Sequence, residues 1–153
     1  SFCKEAAPSN PLPIKIGPLS VRSLGKIEYS RDSFHSSRYL WPIGFKSTWK
    51  AQDSDVLYES EVLDGAAVGD VGGMGEIDGP IFMVTVKMAG QSPKEFFGRS
   101  AKEAWRNALE NDKAEERFGF REHEVRRRVE GLRHAFDCQH YEFLELRQQG
   151  GER

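Results

Sequence analysis

The residues best suited to chemistry lie in three short stretches. His134, Cys138 and His140 fall within HAFDCQH, which brings a thiol and two imidazoles close together in the chain. Both groups bind zinc, but structural zinc sites need four ligands, in recurring pairs such as CxxC. Three candidates at this spacing favour a core cysteine beside Phe136 and Tyr141, with two surface histidines. A Cys–His nucleophile pair would need adjacency in space, which nearness in the chain does not supply. The second stretch is GDVGGMG, with Gly69, Gly72, Gly73 and Gly75. It loosely resembles a phosphate cradle, yet the Gly-Lys-Ser/Thr that places a cation on the phosphates is absent, and the run leads into a strand instead of opening a helix. The third is Arg126, Arg127 and Arg128, with Arg121 and Arg133 nearby. Arginines on an exposed helical face grip phosphates or an acidic peptide. Glu122, Glu124 and Glu130 offer them helix-spaced salt bridges instead. GxSxG, HExxH and DxDxDG are all absent. No catalytic residue, cofactor or metal is expected.

These residues must be positioned by strands first and helices later. Leu19–Ile27 is apolar and β-branched, with Gly25 as a bend. Phe45–Trp49 alternates with period two, so Phe45, Ser47 and Trp49 share a face. Val56–Leu63 and Ile81–Met88 are further strands, the latter framed by Gly79-Pro80 and Gly90. Tyr39–Trp41 stops at the turn signal Pro42 and Gly44. Ser100-Ala-Lys-Glu103 is a capping box, followed by Ala101, Ala104, Trp105, Ala108 and Leu109 at helical spacing. A second helix runs from Glu122 to Leu132, burying Val125, Val129 and Leu132 and turning Arg126, Arg127, Arg128 and Glu130 outward. Tyr141–Leu146 alternates again and reads as a final strand. Strands, then two helices, then a strand, with no βαβ alternation, predict an α+β domain with an antiparallel sheet.

The chain has 153 residues, enough for one domain and an independent core. Its net charge of −2 argues against a general nucleic-acid binder, and its two cysteines make no disulfide framework, which favours a reducing, intracellular compartment. No apolar run approaches the length of a membrane span. The opening SFCKEAAPSNPLP is not a secretory signal, and with no initiator Met it reads as part of something longer. Ten Phe, four Tyr and three Trp argue for a folded chain. They cluster between Tyr29 and Tyr58 and between Phe82 and Phe143. The gap holds six glycines from Gly65 to Gly79 and several acids, and predicts an exposed, mobile loop.

The order of residues within the clusters carries a resemblance. LSVRSLGKIEYSRDSFHSSRYLWPIGFKSTW resembles the phenylalanine/tyrosine-rich N-terminal motif, FYRN. That pattern has an LG-I strand, a Phe-His pair and Y-x-x-P-x-G-[FY]-x-S. Here these are Leu24, Gly25 and Ile27; Phe34 and His35; and Tyr39, Pro42, Gly44, Phe45 and Ser47. The second half resembles the partner motif FYRC through Ile81–Lys87, Ala104-Trp105, VRRRVEGL, and Cys138 followed by Tyr141 and Phe143. Both Phe97-Gly98 and Phe118-Gly119 offer its Phe-Gly pair.

The resemblance implies one α+β FYR domain over 18–146, an antiparallel sheet with two consecutive helices packed on one face: an FYRN-like part 18–64, the glycine-rich acidic loop 65–79, and an FYRC-like part 80–146. Residues 1–17 would be a flexible N-terminal segment and 147–153 a disordered tail. It also implies a noncatalytic protein-interaction module of nuclear chromatin regulators. In this family such parents include trithorax-type histone lysine methyltransferases, plant jumonji-type demethylases and a transforming-growth-factor-beta regulator. The histone chemistry lies elsewhere in the parent. The expected partner is another protein of a chromatin complex, such as a transcription factor or a histone. Binding of nucleic acid or an acidic peptide through the Arg126–Arg128 face, with Arg121 and Arg133, is the alternative, and no membrane is expected. Leu24, Gly25, Phe34, His35, Tyr39, Pro42, Gly44, Phe45, Trp105 and Tyr141 would be structural.

Overall fold

The computed structural model describes residues 11–51 and 53–144. Strands β1 (Ile14–Ile16), β2 (Leu19–Ser23), β3 (Lys46–Lys50), β4 (Leu57–Asp64), β5 (Pro80–Lys87) and β6 (Lys94–Gly98) form one sheet in chain order, every neighbour antiparallel. A short helix α1 (Gly65–Val68) follows β4, and α2 (Ala101–Leu109) and α3 (His123–Glu130) follow β6. This is the α+β architecture expected from the order of patterns.

Register explains which face carries the core. Val21 pairs with Ser47, Ser47 with Ser60, and Ser60 with Val84. Side chains alternate along each strand, so this row shares its face with Phe45, Val62 and Phe82, all buried. Phe45, Ser47 and Trp49 share that face as their spacing predicts. Ala104 and Trp105 of α2, Val125 and Val129 of α3, and Phe118 and Phe120 between the helices complete the cluster. Each such fully buried large side chain contributes about 1.5–3 kcal/mol. The capping box forms: Ser100 Oγ accepts from the Glu103 amide at 3.1 Å, and Glu103 Oε1 accepts from the Arg99 amide at 2.6 Å.

The opposite face is polar across its middle, with Lys46, Thr48, Glu59, Glu61 and Thr85 in register and a Lys87–Glu59 ion pair at 3.1 Å. The glycine-rich segment lies against one end of this face. A Cβ on Gly72 would sit 2.9 Å from the Phe97 ring, and Arg99 donates to the Met74 carbonyl at 3.1 Å.

Four expectations change. Ile14–Ile16, placed in a flexible segment, is the edge strand β1, because Ile14 inserts into the core. Lys94–Gly98, not foreseen, is β6; its charged start hides two phenylalanines that pair with β5. Tyr141–Phe143 lies in no strand. Its alternation has another cause: Tyr141 drops into the core while Phe143 stacks on Phe136 at 4.7 Å. Leu146 and the expected tail lie outside the described residues, as do residues 1–10. Finally, the glycine-rich segment is not bare loop. Asp64 caps α1 by accepting from the Ala66 amide at 3.0 Å, and the Gly65 amide donates to the Gly79 carbonyl at 2.8 Å, closing the base.

Candidate interaction surface

Between the segment of Tyr39 and Trp41, the start of α2 and the linker to α3 lies an open groove. Its main cavity encloses about 430 Å³ and is lined by Tyr39, Trp41, Ala101, Lys102, Lys113, Ala114, Glu116, Phe120 and Arg121, among others. The floor is aromatic because a relay of rings rises from the core. Phe45 meets Phe120 at 4.4 Å, Phe120 meets Phe118 at 5.5 Å, and Phe118 meets Phe82 edge-on at 5.5 Å. Trp41 then stands edge-on to Phe82 at 5.9 Å and stacks with Tyr39 at 6.4 Å. Tyr39 and Trp41 remain half-buried, the outward end of the series.

The linker is shaped by Glu116. Its carboxylate accepts from the Phe118 amide at 2.6 Å and the Gly119 amide at 3.2 Å. Burial pushes its pKa above the ordinary carboxylate value, against the pull of those two amides. Beside it, the Arg117 guanidinium lies 5.0 Å from the Trp49 ring and 5.6 Å from the Trp105 ring, a cation held over two indoles.

The sequence-predicted arginines do not form one face. Successive helical residues point about 100° apart, as 3.6 residues per turn requires. Arg126 folds back: its Nη2 donates to the Arg38 carbonyl at 2.8 Å, and its guanidinium sits 5.2 Å from the Tyr39 ring. Glu130, also expected outward, accepts from the Tyr141 hydroxyl and from the Leu144 amide at 2.9 Å. Burial and Glu130 together push the Tyr141 phenol up to about 12. Arg128 borders a separate cleft with Pro11, Pro13 and Ile14. Arg127 and Arg133 are exposed, and Arg121 faces the groove.

His134, Cys138 and His140 are likewise separated in role. His134 stacks on Tyr29 at 4.4 Å and pairs with Asp137 at 2.9 Å. Cys138 is buried, and desolvation pushes its thiol up to about 11, the opposite of a nucleophile's tuning. Phe136, expected beside it, is 84% exposed, because it packs on Phe143 at the surface. His140 stacks on His35 at 5.6 Å, and its amide donates to His35 Nε2 at 3.3 Å.

A further cluster escaped sequence reasoning. Arg31 donates to Asp64 through two nitrogens, at 2.7 and 3.1 Å, to Asp78 at 2.8 Å and to Glu28 at 2.9 Å. It also lies 4.8 Å from the Phe34 ring. One guanidinium thus ties the Glu28–Phe34 segment to both ends of the glycine-rich segment. Nothing in the local pattern of Arg31 signals this; its two aspartate partners are far away in the chain.

At the heart of the N-terminal half, Gly25 and Gly44 cross. Both have positive φ, 75° and 88°, and a Cβ on Gly25 would lie 2.6 Å from the Ile43 carbonyl oxygen and from the Phe45 amide nitrogen. Only glycine permits that approach. The sequence profile of the F/Y-rich N-terminus, FYRN, matches residues 11–65, the span that holds this crossing. The chain carries an FYRN segment. The segment starts earlier than the resemblance placed it, and it thereby takes in β1.

Relatives extend the picture. The chain is 30% identical to the rice histone-lysine N-methyltransferase TRX1 over 149 residues, covering 84% of this chain and 14% of that protein. It is 36% identical to methyl-CpG-binding domain-containing protein 9 of Arabidopsis thaliana over 83 residues, covering 54% of this chain and 3% of that protein. It is 38% identical to mouse transforming growth factor beta regulator 1 over 58 residues, covering 35% of this chain and 14% of that protein. The chain thus spans 3% to 14% of the length of these curated relatives. It is therefore similar to one part of each of these larger proteins.

Within the FYRN segment the motif residues are packing residues. Phe34, His35, Pro42 and Phe45 are buried, Leu24 packs against the core, and Gly25 and Gly44 make the crossing. Tyr39 alone among them also lines the groove. Trp105 and Tyr141 in the second half are buried too. The groove residues Trp41, Lys102, Lys113 and Phe120 were not singled out as a site, because they come from distant stretches that no short motif joins.

Proposed function

We propose that this chain is a noncatalytic protein-interaction module of a nuclear chromatin regulator, whose histone-modifying chemistry resides elsewhere in the parent. One observation carries the reading. Similarity to a histone methyltransferase runs through 84% of this chain and only 14% of that protein, so the chain matches one part of a larger machine. The aromatic groove supports it: half-buried rings at a rim of charged residues suit recognition of another protein.

The test uses the chain as bait in nuclear extract, with recovered proteins identified by mass spectrometry. Enrichment of defined chromatin proteins over a tag-only control is expected. Recovery indistinguishable from that control overturns the reading. Incubation with histone peptides is expected to leave them unmodified.

A further inference from the structure

We infer that the groove between Trp41 and the linker from α2 to α3 is the docking site for an acidic peptide segment of a partner protein, anchored by one large apolar side chain. This rests on the protein-interaction reading above and adds the surface and the partner's chemistry.

Two features of the groove argue for this occupant. The first is the floor. Tyr39, Trp41 and Phe120 present ring surface inside a cavity of about 430 Å³, within the range in which pockets bury a ligand group and large enough for a tryptophan or leucine side chain. The second is charge. Lys102, Lys113 and Arg121 line the same cavity; none forms a salt bridge with another described residue, and Arg121 interacts electrostatically with Glu116. Against them stand Glu115, exposed, and Glu116, whose carboxylate is turned onto the Phe118 and Gly119 amides. The groove is therefore net positive in a chain whose net charge is −2. A basic or neutral peptide would leave Lys102 and Lys113 without a salt bridge and Arg121 only partly compensated by Glu116 as it excludes water from them, whereas aspartates and glutamates flanking the anchor would pair with them at the rim. Nucleic acid fits less well. The cations cluster around a single apolar cavity and do not track along a backbone-length stripe, since Arg126 is committed to Arg38 and Tyr39.

The test measures fluorescence anisotropy of a short labelled peptide in which acids flank one tryptophan, added to the whole chain. Binding is expected, weakening as salt rises. It should fall about tenfold when the three cations are reversed together (Lys102→Glu, Lys113→Glu, Arg121→Glu). All three are exposed or at the rim, and circular dichroism confirms that the variant folds. On the unaltered protein, replacing the peptide tryptophan by alanine, or its acids by lysines, should abolish binding. Equal affinity for acidic and basic peptides, or equal affinity of native and reversed chains, overturns the inference. So does a short DNA duplex that binds the native chain more tightly than the acidic peptide. If the native chain recovers chromatin proteins from nuclear extract and the reversed chain recovers them equally, the groove is overturned while the interaction reading stands.

Discussion

Trp105 of α2 donates its indole N–H to Ser60 Oγ of β4 at 3.1 Å, with both side chains buried. This bond joins the FYRN segment to the second half of the chain. A companion does the same one strand away, where Ser47 Oγ donates to the Phe118 carbonyl at 2.7 Å. Two small hydroxyls on the core face of the sheet thus supply buried polar contacts that orient α2 and the linker above it. They exist because a buried N–H or C=O without a partner is costly.

Ser60→Ala removes the acceptor and strands the Trp105 N–H in the core. The expected loss is about 1–2 kcal/mol, a fall in Tm of about 2–8 °C. Urea unfolding followed by circular dichroism measures it; an unchanged midpoint would show that the bond contributes nothing net.

Gly25→Ala and Gly90→Ala separate strain from clash. The two glycines have nearly the same φ, 75° and 77°, but a Cβ at Gly90 meets nothing within 4 Å while one at Gly25 meets backbone at 2.6 Å. Gly90→Ala should cost about 1–2 kcal/mol, the left-handed penalty alone. Gly25→Ala should cost clearly more and reduce soluble yield. Equal melting temperatures for the two variants would refute the close crossing of Gly25 and Gly44.

Arg31→Met releases Asp64, Asp78 and Glu28 at once. Because the cluster is partly exposed, the expected loss is about 1–2 kcal/mol. Limited proteolysis should cut faster between Gly65 and Gly79 in the variant. Acid sensitivity changes as well. The Arg31 hydrogen bonds hold Asp64 below its ordinary 3.8, so the unfolded chain takes up that proton first as pH falls. Stability present above about pH 4 is lost as pH drops through and below that value. In Arg31→Met this part of the slope should flatten, which urea midpoints across a pH series would reveal or deny.

His35 acts at higher pH in the same direction. Burial first, and the His140 ring second, hold it below its ordinary 6.5, with Asp32 opposing. Its folded pKa being depressed, the unfolded state binds the proton first, so stability present above about pH 6.5 is lost as pH drops below that value. His35→Gln should remove that component. A nuclear magnetic resonance titration placing the folded His35 midpoint at or above 6.5 would contradict the buried, stacked geometry.

Much of this was legible in the chain, and the misses share one cause. Apolar and β-branched runs located β2, β4 and β5, period-two alternation located β3, and the capping box located α2, because these signals are local. Gly25 and Gly44 read only as a bend and a turn signal, and their close crossing emerged from the structure. By contrast, Arg126–Arg128 reads as a uniform basic face, yet Arg126 turns onto Tyr39, since an aromatic ring lay within reach of its long side chain. YEFLEL reads as a strand, yet Tyr141 is drawn inward by Glu130.

By itself, then, the sequence determined the α+β order of elements, the polar and apolar faces of the central strands and the likeness to a chromatin-associated motif. These depend on neighbours two to four positions apart, whose chemistry is written consecutively. Tertiary structure alone decided that Arg31 ties both ends of the glycine-rich segment and that Tyr39 and Trp41 meet Lys102, Lys113 and Arg121 around one cavity. Those meetings join residues dozens of positions apart, and only the packing of the helices onto the sheet, driven by burial of Trp105, Phe118 and Phe120, brings them together.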